Sequence, residues 1–206
     1  MSKLYDISML VTEEIQVYKN KAEKKPEIRT MSDFSTGSAY ESRIAMDVHT
    51  GTHVDAPLHM IQDGKTIESI ALDSLIGPAR VLDLTHVEDS IGKADLVPFH
   101  ITKGEWILFK TKNSFSEQFD FEFTYLNKEG AAYLAEIGVK GVGTDGLGIE
   151  RSQPDHETHK QLFQQDIVIV EGLRFKDVPE GSYWMVIAPL KLTGIEASPA
   201  RAFLMA

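Results

Sequence analysis

The chain of 206 residues contains no cysteine. That removes disulfides, thiolate metal sites and cysteine nucleophiles together, and it suits a reducing compartment. Long apolar runs are also missing: nothing approaches the roughly 18 residues that a membrane span needs. The opening Met1-Ser2-Lys3-Leu4-Tyr5-Asp6 lacks the apolar core of a signal peptide, because Asp6 interrupts it at once. The expectation is a soluble, cytoplasmic protein. Basic residues are in deficit, 21 Lys and Arg against 31 Asp and Glu, for a net charge of −10. The one basic run, Lys19 to Lys25, is broken by Asn20, Ala22 and Glu23. Such a chain repels phosphate backbones and anionic lipid surfaces, so neither nucleic acid nor membrane is expected as a partner. Two catalytic signatures are absent as well: there is no G-x-S-x-G nucleophile elbow and no H-E-x-x-H helix.

What remains is an ordinary globular mixture, 42% hydrophobic and 25% charged, of a length suited to one domain over residues 1–206. Strand-like segments recur. Leu4 to Leu10 is one, and Ile44 to His49 alternates with period two. Val81 to Leu84, Trp106 to Phe109, Val139 to Val142, Ile167 to Val170 and Tyr183 to Ala188 are short and rich in β-branched and aromatic residues, as buried strands are. Helices are fewer. Asn127 can cap one that runs through Leu134 and stops at Gly138, and a second is expected over His156 to Gln165, just after Pro154. Lys19 to Pro26 reads as a surface loop. The pattern predicts an α/β domain with a central mixed sheet.

The chemistry concentrates in His49-Thr50-Gly51-Thr52-His53-Val54-Asp55-Ala56-Pro57-Leu58-His59, which holds three of the seven histidines and one aspartate. All four occupy odd positions, which share one face of an extended chain. His53 and Asp55 then stand roughly 7 Å apart and can converge on one ion. His49 and His53 would be roughly 13 Å apart on a straight strand, too far for a shared ion. Gly51 is where a bulge or bend could close that gap, and Pro57 turns the chain so that His59 arrives from another direction. Imidazole and carboxylate form a ligand set for zinc or manganese, with nothing to choose between the two.

This segment resembles the signature of the metal-dependent cyclase-type hydrolases, which include bacterial kynurenine formamidase and isatin hydrolase. The resemblance extends to Asp6-Ile7-Ser8, Gly143-Thr144-Asp145, His159 with Leu162, Ile167 to Leu173 with Glu171, Pro189-Leu190 and Ser198-Pro199-Ala200-Arg201. It implies a swivelling β/β/α domain and one or two ions per chain. By position, it implies that His49, His53 and Asp55 bind a first metal. Asp55 would bridge to a second site completed by His159 and Glu171, and His59 would be the acid/base. Helical spacing alone does not choose His159 over His156, three residues earlier. The implied reaction is hydrolysis of a C–N bond in an aryl formamide or cyclic amide (lactam) by metal-activated water, with N-formylkynurenine as one candidate substrate. A homodimer is implied too, its pocket completed near Tyr18.

One departure bears on the substrate. Where the formamidases carry a Trp-Pro-Gly-Asp type segment, this chain has Ile15-Gln16-Val17-Tyr18-Lys19-Asn20-Lys21. Tyr18 can fill the aromatic slot, but the Pro-Gly turn is gone and two lysines stand there instead. Gly141-Val142-Gly143-Thr144-Asp145-Gly146 matches G-x-G-x-x-G, yet Gly148 and Pro154 disrupt the helix that a dinucleotide site needs. These glycines are expected instead to let backbone pass close to the metal site. A structural zinc protein, a non-catalytic small-molecule binder on the same fold and a metal-dependent lyase or isomerase are the competing readings.

Overall fold

The computed structural model describes residues 3–206, so residues 1 and 2 of the expected domain lie outside it. Among the described residues, twelve strands and three α-helices follow one another. The strands are β1 (Leu4–Asp6), β2 (Glu27–Ser32), β3 (Glu41–Ala45), β4 (His53–Asp55), β5 (Ile76–Asp83), β6 (Ser90–Ile91), β7 (Trp106–Lys110), β8 (Tyr125–Leu126), β9 (Gly141–Thr144), β10 (Val168–Glu171), β11 (Gly181–Pro189) and β12 (Ala197–Met205). The helices are α1 (Lys93–Leu96), α2 (Lys128–Ile137) and α3 (Glu157–Phe163).

The main sheet is mixed, in the order β1-β12-β11-β5-β7-β9-β10-β4. It closes because β4 also pairs with β12, Asp55 opposite Ala197 and His53 opposite Pro199. Strand β1 lies further along that edge of β12. The parallel neighbours β5, β7, β9 and β10 are the buried strands expected from their apolar runs. Period-two alternation sorts their side chains between two cores. Val54, Trp106, Leu108, Val168 and Val170 fill the barrel interior, whereas Ile107, Phe109, Val142 and Ile169 face the helices together with Leu134 and Leu162.

Local chemistry sets the helix ends. The Asn127 side chain accepts from the backbone of Glu129 and Gly130, both at 3.0 Å, and Gly138 closes α2 in the left-handed region at φ 77°. Helix α3 is shorter than expected. Asp155 and His156 both adopt left-handed backbone, at φ 59° and 53°, so the turn after Pro154 is separate and the helix starts at Glu157.

Three other expectations are corrected. The strand foreseen over Ile44 to His49 stops at Ala45, because the Asp47 side chain accepts from His49 N–H at 2.9 Å and folds the chain into a turn. The strand foreseen over Val139 to Val142 begins at Gly141, since Val139 N–H is spent on the carbonyl of Leu134 at the exit of α2. The extended segment beginning at Leu4 leaves its ladder after Asp6, with one further bridge between Ser8 and Leu173.

Gly141 and Gly143 have a different purpose from the one expected. A Cβ on Gly141 would lie 2.4 Å from the Trp106 ring, and one on Gly143 would lie 2.7 Å from Leu108 and Leu173. These glycines make room for large core side chains, not for a metal site or a dinucleotide. No helix opens directly after them, the chain running through bends from Asp145 to Ser152.

Candidate metal centre

The barrel's alternation positions the first half of the site. Val54 points into the barrel, so His53 and Asp55 on either side of it point out, beneath α3. Glu171 at the end of β10 stands opposite His53 in the antiparallel register and emerges on the same face. His53 Nε2 comes within 3.3 Å of Asp55 Oδ1 and 3.5 Å of Glu171 Oε2. The shared face foreseen for odd positions therefore holds for His53 and Asp55.

His49 and His59 reach the cluster by turns instead. Gly51 adopts φ +71° and doubles the chain back, which brings the His49 and His53 ring centroids to 5.0 Å and His49 Nδ1 to 3.1 Å from Asp55 Oδ1. The far nitrogen of His49 lies 3.4 Å from Glu196. After Asp55 the chain turns through the short helical segment Pro57–His59, which lays the His59 ring 4.2 Å from that of His49 and 5.5 Å from that of His159. His159 descends from α3, with Nε2 at 3.5 Å from Glu171 Oε1 and 3.9 Å from Asp55 Oδ2. His156 stays outside, its side chain 56% exposed. The expected residues thus lie close together, with His159 turned towards Asp55 and Glu171 and His156 turned away from them.

Sequence reasoning missed Glu150. Its buried carboxylate accepts from His159 Nδ1 at 2.7 Å, from His156 Nδ1 at 3.0 Å and from the Thr158 backbone at 3.0 Å. On the other side, His53 Nδ1 donates to the Gly51 carbonyl at 2.8 Å. Both buried rings are therefore tied through Nδ1 and turn Nε2 towards Asp55 and Glu171, the orientation typical of metal-ligating histidine. A lone glutamate in an irregular polar stretch carries no periodicity that could have flagged it.

The electrostatics are those of a site that wants a cation. Six buried side-chain atoms lack a hydrogen-bond partner among the described residues, and four of them are here: His53 Nε2, both Asp55 oxygens and His159 Nε2. Buried polar atoms are seldom left so. Burial disfavours charge on every group, yet the groups hold one another ionised. The contacts with Glu150 and Glu171 outweigh burial and raise His159 to about 10. Glu171 falls to about 2, because His159 and His53 outweigh both burial and the Asp55 charge. Burial also opposes ionisation of Asp55, but His53 and His49 pull it well below the carboxylate range. His59 goes the other way, lowered chiefly by burial. Three groups could each take an ion: His49 with Asp55 and His59, His53 with Asp55 and Glu171, and Glu150 with His156 and His159. Asp55 belongs to two of them.

A cleft of about 360 Å³ opens onto these residues, with Tyr18, His59, Gly148 and Glu150 on its walls. Tyr18 packs edge-on against Phe119 at 5.3 Å. Tyr18 lines the cleft together with Glu150 and Glu171, and burial and those two charges push its phenol up.

The chain is similar to several known proteins. The Cyclase family model matches residues 5–151. The kynurenine formamidase of Bacillus mycoides is 32% identical over 203 residues, 98% of this chain and 96% of that protein. A solved structure of a predicted metal-dependent hydrolase from Bacillus stearothermophilus is 53% identical and superposes with a TM-score of 0.92, covering 100% of this chain and 98% of that one. Isatin hydrolase A of Labrenzia aggregata shares the fold at a TM-score of 0.87 and 22% identity, covering 100% and 94%.

Proposed function

The chain belongs to the cyclase family and is a metal-dependent amide hydrolase, and from that premise we propose that it cleaves an aryl formamide or a cyclic aryl amide at the cluster beneath α3. N-formylkynurenine is one candidate. The observation that carries the reading is that four buried atoms of His53, Asp55 and His159 lack hydrogen-bond partners while His53 Nε2 and His159 Nε2 lie 3.3 and 3.9 Å from the Asp55 carboxylate. Neutral imidazoles and carboxylates of this kind suit zinc or manganese, with one or two ions per chain. His49, His53 and Asp55 would hold the first ion, and Asp55 with His159 and Glu171 the second. A bound ion supplies Lewis acidity, which polarises a carbonyl and eases the deprotonation of water near neutral pH.

The chain's own residues divide the remaining work. Burial lowers the His59 imidazole below its ordinary value, which favours the neutral ring, so a ring nitrogen can take a proton from water and return it to the departing nitrogen. An aniline nitrogen leaves more readily than an alkyl amine, which favours aryl amides. Tyr18 supplies an aromatic wall for the ring of such a substrate. Glu150 holds His159 in one orientation through Nδ1.

A homodimer and a cytoplasmic location complete the proposal. The β2–β3 hairpin exposes Ile28, Met31, Phe34, Tyr40 and Ile44, with Phe34 78% accessible. A two-stranded ribbon of that kind is marginal without something packed on it. The absence of cysteine suits the cytoplasm.

Elemental analysis of untagged protein purified without chelator tests the centre. Roughly one or two equivalents of zinc or manganese are expected in the wild type, and the metal is lost in Asp55→Ala. Formanilide, lactam and lactone substrates then form the panel. Wild-type protein that takes up neither metal after soaking would sink the mechanism.

A further inference from the structure

Lys19, Lys21 and Lys24 line the same cleft as His49, His59 and Glu150. Only 21 residues of this acidic chain are basic, so three within six positions lining one cleft are a local reversal of sign. The three lysines do not play equivalent parts. Lys24 is committed to the scaffold: its Nζ lies 3.0 Å from Asp47, and its carbonyl accepts from Thr50 at 3.0 Å. Lys19 and Lys21 pair with no carboxylate among the described residues, the neighbouring pairs being Lys24 with Asp47 and Lys25 with Glu14. The Lys19 ammonium stands 5.3 Å from the centre of the Tyr18 ring, at the aromatic wall itself.

The backbone is bent to put them there. Lys19 and Asn20 both adopt left-handed conformation, at φ 58° and 52°, and neither is glycine. Strain of this kind persists where the surrounding structure holds it, and it gathers at ligand sites. The cleft thus has two poles. One part of its lining carries the carboxylates of Glu150 and Glu171, which lie against His159. Another part carries the Lys19 and Lys21 ammonium groups, which have no carboxylate partner among the described residues.

We infer that Lys19 and Lys21 select a substrate bearing a free carboxylate on the side away from the scissile amide. The inference rests on the hydrolase reading and narrows its substrate class. The wall presents ammonium point charges and no arginine fork, which suits a monoanion. An amino-acid zwitterion brings its own ammonium to the same wall, so a simple acid is preferred over one. Without these lysines, the −10 charge of the chain would repel an anionic substrate.

The test compares 4-formamidobenzoate with 4-formamidobenzamide, which have the same size and the same scissile bond, using the metal-loaded full chain. The expected kcat/KM ratio favours the acid by roughly tenfold or more, the scale of a charge-assisted hydrogen bond. It falls towards one in the double variant K19Q/K21Q, and it narrows in the wild type as salt is raised. Calorimetric binding of 4-aminobenzoate and 4-aminobenzamide supplies a readout that needs no turnover. Equal handling of acid and amide by the wild type, or a preference that survives K19Q/K21Q, overturns the inference. If neither anilide is cleaved but the aminobenzoate preference is present and lost in the double variant, the hydrolase reading fails and the charge selectivity stands.

Discussion

Gly172 and Gly51 lie back to back behind the candidate metal centre: a Cβ on Gly172 would stand 2.4 Å from the carbonyl oxygen of Gly51. Both have left-handed backbone, at φ +68° and +71°. Gly172 follows Glu171 directly, and Gly51 lies between His49 and His53, so this contact sets how closely the two halves of the ligand cluster approach. The Gly51 carbonyl is also the acceptor for His53 Nδ1. Thr52 fastens the crossing through its hydroxyl, which donates to the Gly172 carbonyl at 2.6 Å and accepts from Met9 N–H at 2.8 Å.

Gly172→Ala adds that Cβ against backbone that has nowhere to move, at a φ that alanine resists. The expected loss is about 2–4 kcal/mol of stability, from conformational strain and steric overlap together. Urea unfolding of the metal-free protein measures it. Zinc titration of the same variant should show weaker binding, because separating the two segments moves Glu171 away from His53. An unchanged unfolding midpoint would mean that the crossing relaxes at no cost.

Glu150→Gln keeps the shape of the side chain and removes the charge that orients His159. The expected outcome is a 10- to 100-fold weaker metal affinity, the usual effect of losing the carboxylate behind a ligating histidine. Competition with a chromophoric chelator reads this directly. Affinity equal to wild type would show that packing under α3 suffices to aim the ring.

His59→Ala separates proton transfer from metal binding. Metal content should stay at the wild-type level, with turnover lower by about 10²–10⁴-fold. The variant should also lose the limb of the wild-type pH–rate profile that reports His59, whose pKa burial holds below the ordinary imidazole value. Full activity in His59→Ala removes this residue from the reaction.

The metal-free and metal-loaded proteins should respond to pH in opposite ways. Glu171, lowered to about 2, contributes stability that is present above its ordinary value near 4.5 and is lost as pH falls through about 2. His159, raised to about 10, contributes stability that is present below its ordinary value near 6.5 and is lost as pH rises through about 10. Both contributions are complete together only between those ordinary values, 4.5 and 6.5. Calorimetric Tm of the chelated protein should therefore peak in mildly acidic buffer. A metal needs unprotonated rings, so zinc affinity should climb as pH rises through neutrality, with protons released on binding. A zinc-induced rise in Tm that is the same at pH 6 and pH 8 would contradict proton competition at these histidines.

The recognisable parts of the site are those whose spacing is local. His53 and Asp55 flank Val54 on one strand, so period two alone puts them on one face. Asn127 and Gly138 delimit α2 because capping needs only the residues beside it. The strand foreseen through His49 failed for the same local reason, since the Asp47 side chain captures the His49 amide and folds the ladder into a turn. Glu150 stayed invisible, because its partner His159 lies nine residues on, across an irregular turn.

By itself, the sequence determined the chemistry available to this protein: imidazoles and carboxylates without thiols, an acidic surface, and a run of apolar strands with one histidine-rich segment among them. Only the tertiary structure decided which of those groups meet. Closing β4 between β10 and β12 brings Glu171 opposite His53, and the left-handed turn at Asp155 and His156 sends His159 inward while leaving His156 in solvent. Residue types and short-range periodicity are written along the chain. Convergence at one point depends on strand register and on two glycines in contact across the fold, and those arise from packing that no local window contains.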